Sequence, residues 1–203
     1  MESKSEILER ALTFFQKNGV KDHSERKITE QLELPEDTFP AIFRDKEDLL
    51  RQAVEHNLNS FVIFPRHVLD AARNPIEEII LMFKCCADFV KDVHPGYFIQ
   101  IQYLYPSIWN TYLHHSQITY YYQFYDLINE GILQDLFRKD INIEIVTKIL
   151  IEQLNVMHNA HLFPKHRYNM AEVFRSIFLY YLKGICTEKG GHIAEVFFAN
   201  NSI

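Results

Sequence analysis

Ten histidines are the residues of this chain that first suggest a chemical site. His158 and His161 stand three positions apart on one predicted helix, and His166 follows, so two or three imidazoles could converge. A structural zinc site has four recognisable ligands, and no cysteine or carboxylate stands at ligand spacing in this stretch. The pattern therefore favours solvated or hydrogen-bonded histidines, and we expect neither a metal nor a cofactor.

Cysteines and catalytic motifs give no better indication of a reaction. Cys85, Cys86 and Cys186 are too few for a disulfide framework, which indicates reduced thiols. A reactive thiol needs surroundings that lower its pKa, and Lys84 is the one cation beside the adjacent pair, so inert cysteines are expected. The sequence has no Gly-x-Ser-x-Gly turn, phosphate-cradling glycine loop or paired-carboxylate constellation. We therefore expect no catalytic residue and no enzyme.

Aromatic side chains are concentrated between Ser107 and Gly131. The aromatic residues and the two histidines of this segment are Trp109, Tyr112, His114, His115, Tyr120, Tyr121, Tyr122, Phe124 and Tyr125. Aromatic walls with hydroxyl and imidazole groups suit a pocket for a flat or amphipathic small molecule. The same rings can also form a core from which tyrosine hydroxyls reach the surface. Both interpretations stay open at this point.

The elements that must position these residues are all predicted to be helices. Ser3 and Glu6 form a capping box ahead of a helical apolar repeat that Gly19 ends. Asp45 is expected to cap another helix, and Asn74-Pro75 is a strong start signal. Further helices are predicted over approximately 24–34, 37–43, 45–65, 74–93, 97–105, 106–131, 142–161 and 169–183, with a short one after Gly191. No segment is typical of a strand, so the fold class is all-α.

Charge and hydropathy restrict the function classes. The formal net charge of −6 gives no general support for nucleic-acid binding, because phosphate contacts need local positive charge. No apolar stretch approaches the roughly 20 residues that cross a bilayer, so no membrane association is expected. Residues 1–6 are polar and lack the apolar run of a signal peptide, which favours a cytoplasmic location. Any nucleic-acid binding must depend on a local motif.

Three short helices in the first 45 or so residues, with a tight turn between the second and third, describe a helix-turn-helix. The segment Ile7-Leu8-x-x-Ala11-x-x-Phe14-Phe15-x-x-x-Gly19 resembles the opening of TetR-family bacterial transcriptional regulators. Ile28, Leu32 and Leu34 match apolar positions of that family's turn motif. The segment Phe43-Arg44-Asp45-Lys46-Glu47-Asp48-Leu49-Leu50 is similar to its Phe-x-x-Lys-x-x-Leu signature. The resemblance is specific over residues 5–54 and architectural beyond them.

The resemblance implies two domains and a mechanism. Residues 1–48 would be a helix-turn-helix DNA-binding domain, and residues 49–203 a helical ligand-binding and dimerisation domain. A homodimeric repressor of this kind binds double-stranded operator DNA with its third helices in successive major grooves, roughly 34–36 Å apart. A small-molecule effector bound among the C-terminal helices releases the DNA. The last two long helices pair across the two-fold axis, and here their apolar residues are Ile145, Ile149, Leu154, Val173, Phe174, Ile177 and Phe178.

Carried over position by position, the resemblance assigns roles to individual residues. Ser24 would cap the second helix and contact a phosphate, Thr38 would lie on the recognition helix, and Lys46 would neutralise a phosphate. We expect the neighbouring cations to add backbone contacts; they are Arg26, Lys27 and Arg44. The resemblance also favours a pocket over a purely structural aromatic core. The predicted ligand-binding residues are Phe61, Phe83, Phe89, Tyr105, Trp109, Tyr112, His115 and Tyr122.

Two residues depart from the family pattern in the helix-turn-helix. Glu33 stands where the family has a turn glycine, although non-glycine residues are disfavoured at positive φ. Pro40 replaces a tyrosine that contacts phosphate. A third helix starting at Pro35 would place Pro40 in its interior at a cost of about 3 kcal/mol. A start capped by Asp37 places Pro40 in the first turn, where no intrahelical N–H is needed, and we favour this shorter helix.

Charge is a third departure. Residues 1–50 hold eight Lys or Arg and twelve Asp or Glu, and Glu33, Glu36 and Asp37 would face or flank phosphates. Two functions follow from the sequence. The first is a ligand-responsive repressor, and the second is a regulator-derived sensor or interaction protein whose DNA binding is weak or lost.

Overall fold

A computed structural model describes residues 3–35, 37–60, 64–157, 159, 162–164 and 166–200. These residues form eleven helices and no strand beyond one isolated bridge between Phe137 and Cys186. In chain order the helices are α1 (Lys4–Asn18), α2 (Glu25–Gln31), α3 (Thr38–Ile42), α4 (Lys46–Ser60), α5 (Arg66–Leu69), α6 (Pro75–Lys91), α7 (Tyr97–Leu104), α8 (Pro106–Leu133), α9 (Ile143–Met157), α10 (Met170–Ile185) and α11 (Glu188–Asn200). The predicted all-α fold is confirmed. None of these helices combines the length and the apolar character needed to cross a lipid bilayer.

Polar caps fix where several helices begin. Ser3 and Glu6 form the predicted capping box at the start of α1. The Asn74 side chain accepts a hydrogen bond from the Glu77 backbone N–H at 3.1 Å, with proline at the first position of α6. The Asn169 side chain caps α10 by accepting from the Ala171 N–H at 3.0 Å. Each cap satisfies an N–H that has no partner within its own helix, so these starts are visible in the sequence.

Two helices differ from the sequence prediction. Helix α5 has only four residues, too few for an apolar repeat to reveal it. Helix α11 was expected after Gly191, but it begins at Glu188 and contains both glycines. A Cβ on Gly190 would lie 2.1 Å from the Leu136 carbonyl oxygen, so this glycine permits a close helix–backbone approach and does not end a helix.

The chain divides into two compact units. The first consists of Met1–Phe61 and Asp92–His115, and the second of Val62–Lys91 and Ser116–Ile203. Helix α7 and the first part of α8 thus belong with α1 to α4. The boundary between residues 48 and 49 stays a prediction about function, and this division by compactness does not decide it.

Each unit has its own apolar core. In the first unit Phe15, Ile28, Leu49 and Leu50 are fully buried. In the second, the Phe83 ring stacks on Phe178 at 4.0 Å and on Phe124 at 5.3 Å between centroids. Burying one large apolar side chain stabilises a fold by about 1.5–3 kcal/mol, so these rings are major contributors to the second core.

Candidate functional site

Helices α2 and α3 form the helix-turn-helix that the sequence predicts. The Ser24 hydroxyl caps α2 by accepting from the Lys27 N–H at 3.3 Å. The turn after α2 passes through Glu33 at φ 50°, so glutamate does adopt the left-handed conformation for which the family uses glycine. The Leu34 N–H donates to the Thr29 carbonyl at 3.0 Å, and the Arg10 guanidinium donates to the Leu32 carbonyl. These bonds hold the turn although its residue type is unfavourable.

Helix α3, the candidate recognition helix, is short. It begins at Thr38 with Asp37 at the cap position, which confirms the shorter of the two predicted starts. Pro40 is therefore the third residue of the helix, where its missing N–H removes no intrahelical hydrogen bond. Pro40 is exposed and Thr38 is half-buried. The helix thus presents few polar groups that could bind DNA.

Three of the predicted phosphate ligands lie on the surface of the first unit. The Arg26 side chain is 90% exposed and pairs with Glu30 at 2.9 Å. Lys27 is exposed on the same helix. The Arg44 side chain is 80% exposed, with its guanidinium 3.8 Å from an Asp48 carboxylate oxygen. Exposed ion pairs contribute little to stability, so these cations can turn to a phosphate at small cost.

Lys46 has different surroundings. Its ammonium donates to the backbone carbonyls of Val20 at 3.0 Å, Lys21 at 3.2 Å and His23 at 3.1 Å. An ammonium has three N–H donors, so all of them are used within the chain. Burial lowers the pKa of Lys46 more than the nearby Asp22 and Glu25 raise it. A phosphate contact by Lys46, which stays a prediction, would have to compete with these three bonds.

Asp48 organises the start of α4 from a buried position. Its carboxylate accepts from the Arg44 N–H at 3.2 Å, the Gln52 side chain at 3.0 Å and the Arg51 guanidinium at 2.5 Å. Burial alone would raise the pKa of Asp48, but these hydrogen bonds to the ionised form outweigh it and lower that pKa. Asp45 caps the helix, as predicted, by accepting from the Asp48 N–H at 2.8 Å.

The predicted ligand-binding residues fall in both compact units. In the first unit, Trp109 and Tyr112 stack with ring centroids 5.9 Å apart, and Tyr112 also contacts Phe98 at 5.8 Å. These rings, together with Tyr105 and His115, are half-buried. Burial, with Glu47 and Asp45 nearby, raises the pKa of Tyr105. The structure thus brings Trp109 and Tyr112 together in one partly accessible aromatic group.

The remaining candidates are in different surroundings. Phe83 is fully buried in the core of the second unit, Phe89 is half-buried, and Tyr122 is 65% exposed. Phe61 lies outside the described residues. The assignment of a ligand to any of these residues therefore stays a prediction.

A surface pocket in the second unit was missed by the sequence analysis. It has a volume of about 380 Å³ and is lined by Ala71, Arg73, Glu77, His192, Ile193, Val196, Phe197 and Asn200. Its walls come from the segment before α6, the start of α6, and α11. These residues are far apart in the chain and share no motif, so no sequence pattern identifies them.

The described residues contain no group of three or more His, Cys, Asp or Glu side chains that could hold a metal ion. His158 and His161 of the histidine hypothesis lie outside them. Burial raises the pKa of each thiol, to about 12 for Cys186, so none of the cysteines is activated as a nucleophile.

Comparison with known proteins places this fold among transcriptional regulators. No protein-family model matches the sequence, and no curated protein matches it. A TetR-family regulator from Cytophaga hutchinsonii is 18% identical, with a TM-score of 0.69 over 93% of this chain and 99% of that one. The ketosteroid transcriptional regulator KstR2 of Mycobacterium tuberculosis is 19% identical, with a TM-score of 0.63 over 93% and 97% of the two chains. FadR from Bacillus subtilis, solved with stearoyl-CoA, is 15% identical, with a TM-score of 0.65 over 90% and 100%. The chain therefore has the fold of the TetR-family transcriptional regulators, as the resemblance over residues 5–54 predicts.

Proposed function

We propose that this protein is a ligand-responsive transcriptional repressor of the TetR type, which acts in the cytoplasm as a homodimer on operator DNA. The observation that carries the proposal is the helix-turn-helix of α2 and α3 at the head of a chain with the regulator fold. The Ser24 cap and the left-handed turn at Glu33 give the motif its shape. DNA binding by this motif then requires phosphate contacts from the cations on its surface.

Phosphate binding is assigned to the cations that the fold leaves exposed. Arg26, Lys27 and Arg44 meet this condition, and Ser24 and Thr38 add hydroxyl groups near the same motif. Acidic residues outnumber basic ones by twelve to eight over residues 1–50, so we expect weak non-specific binding. Specific binding must then come from contacts to base edges in the major groove.

Selection from a random double-stranded DNA library with the purified protein tests the proposal. A repressor of this type should enrich a two-fold symmetric sequence with half-sites about one helical turn apart. Binding to that sequence, followed by fluorescence anisotropy, should weaken steeply between about 50 and 200 mM salt. Recovery of no sequence, with no binding at any salt concentration, would contradict the proposal.

A matched pair of charge variants locates the interface. Lys27→Ala should reduce the slope of log affinity against log salt by about one, because one phosphate contact is lost. Lys139→Ala removes the same charge from an exposed position in the second unit and should leave the slope unchanged. Equal slopes for the two variants would mean that Lys27 does not contact a phosphate.

Effector binding is assigned to half-buried aromatic residues of the first unit, among them Tyr105, Trp109 and Tyr112. Paired rings such as Trp109 and Tyr112 suit a flat or amphipathic small molecule. FadR from Bacillus subtilis was solved with stearoyl-CoA, and another protein with this fold, RolR, with resorcinol. Native mass spectrometry of the purified protein, before and after denaturation, would reveal a bound effector by its mass.

Dimerisation is assigned to the outer face of α9. Ile145, Ile149 and Val156 are 55%, 41% and 41% exposed and lie four and eleven positions along one helical face. Ile145 and Ile149 belong to the apolar set that the sequence predicts for the interface, whereas Val156 does not. Of the other residues in that set, Leu154, Val173, Phe174 and Phe178 are buried within the chain, and Ile177 is half-buried. Exposed isoleucines on one face of a helix are typical of a surface that another protein covers.

A sensor or interaction protein without DNA binding is the second candidate function. The excess of acidic residues at the N-terminus and the engagement of Lys46 with three backbone carbonyls favour it. This candidate predicts an effector-binding dimer that enriches no DNA sequence, so the same selection experiment separates the two functions.

A further inference from the structure

The loop between α1 and α2 is held from two sides by side chains of other helices. The Gln100 carboxamide oxygen, on α7, accepts hydrogen bonds from the Val20 N–H at 2.6 Å and the Lys21 N–H at 2.9 Å. The Lys46 ammonium, at the start of α4, donates to the carbonyls of the same two residues. The whole arrangement lies in the first compact unit.

One peptide group links the two side chains directly. The peptide between Val20 and Lys21 gives its C=O to Lys46 and its N–H to Gln100. In a trans peptide these two groups point in opposite directions, so Gln100 and Lys46 hold opposite edges of one rigid plane. A displacement of α7 must therefore either move this peptide or break the bonds to Gln100.

The linked peptide lies close to the first turn of α2. Lys46 also binds the carbonyl of His23, the residue before the Ser24 cap, and its backbone N–H donates to the Glu25 side chain at 3.3 Å. The residue before the Ser24 cap is thus attached to the ammonium that holds the peptide, and Glu25 in the first turn of α2 is attached to the backbone of the same lysine. Any movement of the loop changes the support of α2.

Two glycines make room for the Gln100 side chain. A Cβ on Gly19, which has φ 77°, would lie 2.9 Å from the Gln100 oxygen, and one on Gly96 would lie 2.7 Å from its nitrogen. The His94 N–H donates to the Gln16 carbonyl at 2.6 Å and ties the segment before α7 to the end of α1. The carboxamide is therefore closely surrounded, and a shift of α7 cannot be absorbed there without changing these contacts.

We infer that Gln100 is a positioning residue for DNA recognition, which transmits the position of α7 through the Val20–Lys21 peptide and Lys46 to the first turn of α2. This inference rests on the proposed function for its link to DNA. Helix α8 follows α7 after the single residue Tyr105 and continues into the residues of the second unit. Movement along α8 thus has a covalent route to Gln100.

Three variants on α7 test the role of the carboxamide oxygen. Gln100→Leu keeps the approximate size but removes the acceptor, and Gln100→Glu keeps an acceptor for both N–H groups. Gln102→Leu is the matched control, because residue 102 is exposed on the same helix. If Gln100→Leu folds poorly, Gln100→Asn withdraws the oxygen by only about one bond length, roughly 1.5 Å.

Hydrogen exchange measured by mass spectrometry gives the first readout. We expect exchange of the Val20 and Lys21 amides and of the first turn of α2 to accelerate about tenfold in Gln100→Leu, because two hydrogen bonds are lost. Gln100→Glu and Gln102→Leu should exchange like the unmodified protein. Unchanged exchange in α2 of Gln100→Leu, with or without a change in the loop, would overturn the inference.

Affinity for the selected DNA sequence gives the second readout, which a merely structural residue would not move in the folded protein. We expect Gln100→Leu to weaken binding about tenfold and Gln100→Glu to restore it. Combining Gln100→Leu with Lys46→Met should add little to the larger single effect, since both act on one peptide. Additive losses, or unchanged affinity with altered α2 exchange, would overturn the positioning role. An unmodified protein that binds no DNA would refute the proposed function instead, and the exchange readout would still decide the link to α2.

Discussion

Glu33 is the residue of this helix-turn-helix whose backbone conformation is unfavourable for its residue type. Its φ of 50° is costly for a residue with a Cβ, and its side chain is exposed. The surrounding hydrogen bonds from Leu34 and Arg10 keep the turn in place, so the strain is tolerated and not relieved. The residue type therefore weakens the turn without preventing it.

Glu33→Gly should stabilise the protein. Relief of the left-handed strain, less the greater entropy of glycine in the unfolded chain, should raise the free energy of unfolding by about 1 kcal/mol. Thermal unfolding should show this as an increase of roughly 2–4 °C in Tm. Glu30→Gly, inside α2, is the control and should instead destabilise by about 1 kcal/mol. A decrease in Tm for Glu33→Gly would mean that the side chain has a stabilising role of its own.

Asp48 should make the stability depend on pH. The pKa of Asp48 in the folded chain lies below the ordinary value of 3.8, so its full contribution to the free energy of unfolding is present above that pH. As the pH falls below about 4, the unfolded state takes up the proton first, and the contribution is lost as the pH passes the folded pKa. Acid should therefore destabilise the protein partly through this one carboxylate.

The substitution Asp48→Asn tests this role. In asparagine an NH₂ group, itself a donor, would replace Oδ2, which accepts from the Arg44 N–H and the Gln52 side chain. These two donors would lose their acceptor, so the free energy of unfolding at pH 7 should fall by about 1–3 kcal/mol. The variant should also lose less stability than the unmodified protein between pH 5 and pH 2, measured by urea unfolding. Asp140→Asn, at an exposed ion pair with Arg138, is the control and should change little. Parallel pH profiles for Asp48→Asn and the unmodified protein would contradict this account.

At the scale of helices, local signals were sufficient to predict most of the fold. Ser3, Asn74 and Asn169 cap helices because of groups within three residues of them, so their sequence neighbourhoods show the starts. The position of Pro40 likewise followed from helix chemistry alone, since only a start near Thr38 removes no hydrogen bond.

Contacts between distant segments could not be predicted in the same way. Gly190 signals a helix end by its residue type, yet it lies inside α11. Its missing side chain leaves the space that the Leu136 carbonyl occupies. Lys46 occupies a signature position, but its bonds to residues 20, 21 and 23 depend on how α4 meets a loop. Aromatic residues are the third case. Phe83 is buried and Tyr122 is exposed, and this difference depends on packing that the residue types do not show.

At the scale of the whole molecule, the negative charge of the chain opposes the proposed binding to DNA. The chain carries a net charge of −6, so the proposed dimer would approach DNA against long-range repulsion, which salt screens. Two helix-turn-helix motifs linked in such a dimer would compensate for weak binding by each one, because the second would bind at a high effective concentration once the first is bound. DNA recognition by the proposed repressor would therefore depend on dimerisation more than recognition by a basic protein does.

The proposed dimer should depend on the exposed isoleucines of α9. Ile149→Asp places a carboxylate at the centre of the proposed interface, where it would lose water without gaining a partner. We expect the dissociation constant of the dimer, measured by sedimentation velocity over a range of concentrations, to rise by at least about 100-fold. Leu104→Asp is the control, because Leu104 is also exposed, at 47%, but lies on α7 in the first unit. Since Ile149 is 41% exposed, the substituted chain should keep its helical content, so loss of the dimer would not reflect unfolding. An Ile149→Asp protein that remains dimeric would move the interface away from this face, and an unmodified protein that sediments as a monomer at high concentration would contradict the dimeric mechanism itself.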